Sequence, residues 1–244
     1  MIIFKSITLL LALSLFSNAG KLHTGHIQEG DVYFVQMNYK EAIARYEKEP
    51  GSAEAQWKIA RANICIVDIS QKEEKRAYII NAEKASRKSI AINYNLGEGH
   101  TWLAATLGNK AIFEGSKSKV LLCYEIKKEL DIALKLNPND DVAYSILGTY
   151  YRVLGNISWL EKQLADIFIG KIPPGGYPDS EAALKKAIAL SPRTIRHWYE
   201  IGKLYDTWGK EDLARSFFKK GAQLPPQVES DRKRLKEMND YLND

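Results

Sequence analysis

Apolar residues recur along this chain at the three-to-four spacing of helices, and the helical pattern itself repeats. Between Arg196 and Pro226, Trp198, Ile201, Gly202 and Tyr205 share one face of a predicted helix. Ala214, Phe218 and Gly221 share a face of the next, and Pro226 stops it. Large residues on the first helix fill gaps left by small residues on the second, so the pair closes tightly and stacks on its neighbours.

These landmarks follow the W-x2-L-G-x2-Y, A-x3-F, P order of the 34-residue tetratricopeptide repeat. Earlier units carry parts of the same order: Leu147, Gly148 and Tyr151 with Ala187 and Pro192; Leu107 and Gly108 with Ala133 and Pro138; Trp57 and Ala60 with Ala82. The first unit is the weakest, with Gly30, Tyr33, Ala42 and Tyr46 before Pro50-Gly51. The pattern predicts an all-α tetratricopeptide-type helical-repeat solenoid of about five helix pairs, near residues 23–53, 54–94, 101–140, 141–193 and 195–228, with a C-terminal helix over 229–243.

Landmark spacing exposes where the repeat is stretched. Gly202 to Pro226 is 24 residues, whereas Gly108 to Pro138 is 30 and Gly148 to Pro192 is 44. The largest excess contains Ser158 and Glu161 at capping-box spacing, an apolar stripe of Ile157, Leu160, Leu164, Ile167 and Phe168, and then Gly170 and PPGG. It predicts an extra inserted helix. The stripe is expected to pack on the solenoid as filler, with a lid over one end of a groove as the alternative.

In stacked helix pairs the first helices line the concave face. Template register assigns Lys58, Trp102, Asn109, Phe113, Arg152, Tyr199 and Lys203 to that groove. An apolar middle with spaced cations suits a peptide or protein partner. A lipid-like ligand with an acidic end is the second reading.

The N-terminus reads MIIFKSITLLLALSLFSNAGK, with Lys5, a short apolar run, and Ser17 and Ala19 spaced as for cleavage. It predicts a signal peptide over 1–19, a single domain over 20–244, an extracytoplasmic location and no stable membrane span after cleavage. An uncleaved anchor is the alternative. Cys65 and Cys123 fall on different helix layers about 10 Å apart, beyond the ~7 Å Cα separation a disulfide spans, so both are expected as free thiols.

A formal net charge of +5, with the two signs interleaved, gives no basis for nucleic-acid binding. His23 and His26 have metal-like spacing but lack further ligands nearby, and His100 and His197 sit at helix starts where packing explains them. No nucleophile elbow, zinc-protease, P-loop or dinucleotide motif occurs, so neither enzyme activity, a cofactor nor a metal is expected.

The segments AEAQWKIARA, EGSKSK, LNPND, SWLE and IGKIPPGGYPDSEAAL, with Trp102 following His100, resemble the regulator of microtubule dynamics family in both wording and order. The resemblance spans roughly residues 28–240 and implies an all-helical, partner-binding domain without catalysis. Some animal members of that family are associated with microtubules and organelle membranes. An export signal here argues against carrying the microtubule role over.

Overall fold

The computed structural model describes residues 25–244, so the expected signal peptide and His23 lie outside the described residues. Twelve α-helices, and no strand, occur among the described residues. Five antiparallel pairs build the solenoid: α1 (His26–Val35) with α2 (Tyr39–Tyr46), α3 (Ala53–Ile69) with α4 (Lys72–Ile92), and α5 (Gly97–Glu114) with α6 (Ser116–Leu136). The fourth pair is α7 (Asp141–Gly155) with α9 (Tyr177–Leu190), and the fifth is α10 (Ile195–Thr207) with α11 (Glu211–Gly221). The inserted helix α8 (Trp159–Phe168) lies within the fourth pair, and α12 (Glu229–Asn243) follows the fifth.

Local chemistry sets the helix ends. Ser52 and Asp140 accept hydrogen bonds from the backbone N–H groups of Ala55 and Ala143, capping α3 and α7. Ser158 and Glu161 form a reciprocal capping box at α8. Gly115, at φ +95°, makes the one-residue turn between α5 and α6.

Close packing within pairs comes from one recurring arrangement. A Cβ added to Gly30 would lie 2.3 Å from the Tyr46 ring, one on Gly148 would lie 2.4 Å from Leu184, and one on Gly202 would lie 2.2 Å from Phe218. In three pairs, therefore, a large side chain of the second helix plugs a glycine of the first. Gly108, in the third pair, has no such neighbour within 4 Å. Its template counterpart Leu130 is fully buried elsewhere in the core, because the extra residues of this pair lie between the turn at Gly115 and Leu130 and lengthen α6.

Buried histidines pin helices together. His100 Nδ1 is 2.6 Å from Glu129 Oε2 across α5 and α6, and His197 Nε2 is 2.8 Å from Asp141 Oδ2 across α10 and α7. The first helices α3, α5, α7 and α10 touch in succession, whereas the second helices form no comparable run, so the first helices make the inner layer.

Helix α12 packs on α10 and α11 and also reaches α3 at the other end of the solenoid. Arg234 donates to Asp68 of α3, Tyr199 of α10 donates to Glu237, and the Glu229 N–H donates to Tyr39 Oη. The C-terminal helix thus spans the inner side.

The stripe on α8 departs from its expected placement as filler. Trp159, Leu160, Ile167 and Phe168 are exposed, Leu164 is half-buried, and the two buried residues of the helix are Glu161 and Ala165. The reason is local. Glu161 must face inward to cap Ser158 and meet Lys119 of α6 at 3.1 Å, and Ala165, one turn on, is small enough to let the helices approach.

Candidate binding site

Where the third pair lacks its plug, a cavity of about 130 Å³ opens. Gly108 and Ala105 of α5, Cys123 and Ile126 of α6, and Ile146 and Tyr150 of α7 form its walls. Ile157, Glu161, Ile169 and Ile172 border it from the inserted segment, and Arg196 reaches it from α10. The lining is mostly apolar. Two polar atoms in it lack partners: Tyr150 Oη and Arg196 Nε are both buried and unbonded. Burial, with the neighbouring Cys123, pushes the Tyr150 hydroxyl well above its usual range, so it stays a neutral donor.

Beside the cavity runs a buried ionic network joining four helices. Arg152 Nη2 is 2.9 Å from Glu200 Oε2, linking α7 to α10, and Arg234 of α12 meets both Asp68 and Asp231. Burial alone would raise the Glu200 carboxyl, but Arg152, Arg196 and Arg234 outweigh it and hold Glu200 below the usual carboxylate range. At Glu161 burial is likewise outweighed, here by Ser158 and Lys119. Cys65, on α3 near Asp68, has its thiol pushed up to about 12 by burial first and by that carboxylate second.

The residues assigned to the groove from the sequence do not converge on one place. Asn109 lines the cavity and donates to the Ala105 carbonyl of its own helix. Trp102 is buried in the main core, and Phe113 is half-buried against the same core with the Arg76 guanidinium of α4 5.5 Å from the centre of its ring. Lys58 is buried and held at 2.6 Å by Asp31 and 2.7 Å by Glu54. Arg152 and Tyr199 are engaged by Glu200 and Glu237, while Lys203 pairs with Asp206 one turn along α10. Sequence reasoning did not select Tyr150 or Gly108 for the cavity.

Among the described residues, no group of three His, Cys, Asp or Glu side chains is placed to hold a metal. No described helix is long and apolar enough to cross a membrane. Both cysteines are free.

The family model for regulator of microtubule dynamics protein 1-3 matches residues 15–244. The chain belongs to that family. Regulator of microtubule dynamics protein 1 of Bos taurus is 24% identical over 188 residues, covering 76% of this chain and 59% of the relative. Protein 2 of Homo sapiens is 28% identical over 198 residues, covering 80% of this chain and 48% of the relative. The chain therefore spans about half to three-fifths of the length of these family members. Among solved structures, a thermophilic tetratricopeptide-repeat protein of Thermus thermophilus aligns with a TM-score of 0.65 at 18% identity, over 89% of this chain and 97% of that one. That likeness establishes the helical-repeat fold.

Proposed function

We propose that this protein is a non-enzymatic scaffold that anchors a peptide or protein partner by an apolar side chain inserted between α5, α6 and α7. The observation that carries this reading is the unplugged position at Gly108, which leaves an apolar recess of about 130 Å³ on an otherwise closely packed repeat. Volume decides between ligand classes. Cavities of roughly 150 Å³ accept a benzene-sized group, whereas small-molecule sites typically occupy about 300–1,000 Å³. One aromatic or branched side chain fits without rearrangement. Arg196 beside the recess favours an acidic residue next to that anchor.

A specific observation supports a second reading, a lipid-like amphipathic ligand. Tyr150 Oη and Arg196 Nε are donors without acceptors, and an anionic or carbonyl head group satisfies both. An acyl chain needs more room than the recess provides, so this reading requires α8 to move.

The names of the relatives associate those proteins with microtubule dynamics. For this chain we propose partner binding outside the cytoplasm, supported by the signal-like residues 1–19, and not a microtubule role.

Selection from a displayed peptide library on the purified protein, followed by affinity measurement against Ala105→Phe, tests the first reading. Ala105 is buried in the cavity wall, and a phenyl ring there fills the recess. Enriched peptides should carry a large apolar residue beside an acid and lose at least about tenfold in affinity for the filled variant. Equal binding to both proteins contradicts the reading. Native mass spectrometry of the purified protein addresses the second: a retained amphipathic molecule, absent from Ala105→Phe, favours it over peptide binding.

A further inference from the structure

The outer side of the inserted helix is an apolar surface that the cavity does not use. Trp159 is 74% exposed, Ile167 72%, Leu160 52% and Phe168 45%. At about 100° per residue, Trp159, Ile167 and Leu160 fall within an arc of roughly 100°, on the side facing away from the buried Ala165. A soluble monomer gains nothing from concentrating its large apolar residues outward on a ten-residue helix.

The patch continues onto α6. Leu121 and Tyr124 are exposed there, and Tyr124 Oη donates to the Lys171 carbonyl at 2.9 Å, joining α6 to the segment after α8. Lys117, one turn before Leu121 on the same stripe of α6, sets its ammonium 4.8 Å from the centre of the Phe168 ring. Lys162 and Lys171 are also exposed around this surface. On α8 itself Asp166 is the exposed acid, since Glu161 is buried against Lys119.

We propose that this face of α8 and α6 docks on an anionic lipid bilayer. An interfacial helix places Trp, Phe and Leu at the boundary between head groups and acyl chains, with lysines reaching anionic head groups beside them. Charge complementarity selects the bilayer over a second copy of this chain. A two-fold contact through the patch sets a lysine-rich rim against its own equivalent, whereas anionic lipid neutralises it. This docking is independent of what the recess between α5 and α7 holds.

The test uses the full chain with phosphatidylcholine vesicles, with and without phosphatidylserine. Tryptophan emission is quenched by brominated acyl chains, and the Trp159 contribution is obtained as the difference from Trp159→Phe. Working by difference separates this contact from any membrane affinity of the N-terminal apolar run. The expected result is quenching of Trp159 in the phosphatidylserine vesicles, lost on adding salt. Ile167→Ser with Leu160→Ser should reduce that signal at least about fivefold while leaving the melting temperature near that of the wild type, because both positions are exposed. Protein that sediments with vesicles while Trp159 stays unquenched overturns the proposal. So does a double variant that converts a dimer into a monomer without changing vesicle binding, which assigns the patch to a second copy.

Discussion

The Arg234 guanidinium lies 2.9 Å from the Asp68 carboxylate, a contact between residues 166 positions apart. It ties the last helix of the chain to the second helix pair and holds α12 across the inner side of the solenoid. Both side chains are largely buried, and Arg234 also serves Asp231 at 3.0 Å.

Removing Arg234 therefore leaves carboxylates without their counter-charge. Arg234→Met is expected to destabilise the protein by about 2–4 kcal/mol in urea unfolding, and a double-mutant cycle with Asp68→Asn to give a coupling of about 1–3 kcal/mol. A coupling near zero shows that the Arg234–Asp68 contact does not hold α12 in place.

The same network makes stability fall in acid. Glu200 is held below its ordinary range in the folded state, so its contribution is fully present above the unfolded glutamate value near ~4.3 and is lost as pH falls through the folded value. Asp140, whose carboxyl burial pushes up, acts with the opposite sign. Glu200→Gln should lower stability at pH 7 and flatten the loss of stability between about pH 5 and pH 3. An unchanged acid profile assigns that loss to other carboxylates, such as Glu161 and Glu83, which are also held low.

Two glycines at equivalent places in the repeat should respond in opposite directions. Gly202→Ala drives a methyl into Phe218 and is expected to cost about 1–3 kcal/mol. Gly108→Ala meets nothing within 4 Å and should stabilise its helix by roughly 0.5–1 kcal/mol. Thermal melts of the two variants decide this, and equal destabilisation means that the third pair is plugged after all.

The cysteines give a simple chemical check. Denatured, unreduced protein should release two thiols to a chromogenic disulfide reagent. The native protein should react slowly at pH 8, because burial pushes the Cys65 thiol up to about 12 and raises that of Cys123 as well. Rapid native labelling contradicts the packing of Cys123 in the cavity wall.

Much of the architecture was legible because the repeat encodes it locally. Trp198, Gly202, Ala214 and Phe218 specify a helix pair through their spacing, and Ser158 with Glu161 marks the start of the inserted helix. The site was less legible, since it depends on which residues lose their expected partners. Template register placed Lys58 and Arg152 in a groove but carried no information about Asp31 and Glu200, the carboxylates that engage them. The sequence also predicted a helix over 229–243, the place of α12, but carried no sign of its contacts with Asp68 and Tyr39, which lie far away along the chain. The α8 stripe was misplaced for a related reason: apolar spacing identifies a face, while the pairing of buried Glu161 with half-buried Lys119 determines which face turns inward.

On the proposed reading, a partner's apolar side chain enters the recess beside Gly108. Methyl NMR of isoleucine-labelled protein, titrated with a peptide from the library selection, tests it most directly. Ile126, Ile146, Ile157, Ile169 and Ile172 surround the recess, whereas Ile59, Ile64, Ile195 and Ile201 lie in other parts of the core. Shifts concentrated in the first group, saturating together with peptide binding, are the predicted result. Saturating shifts confined to the second group, with the recess methyls unmoved, contradict it.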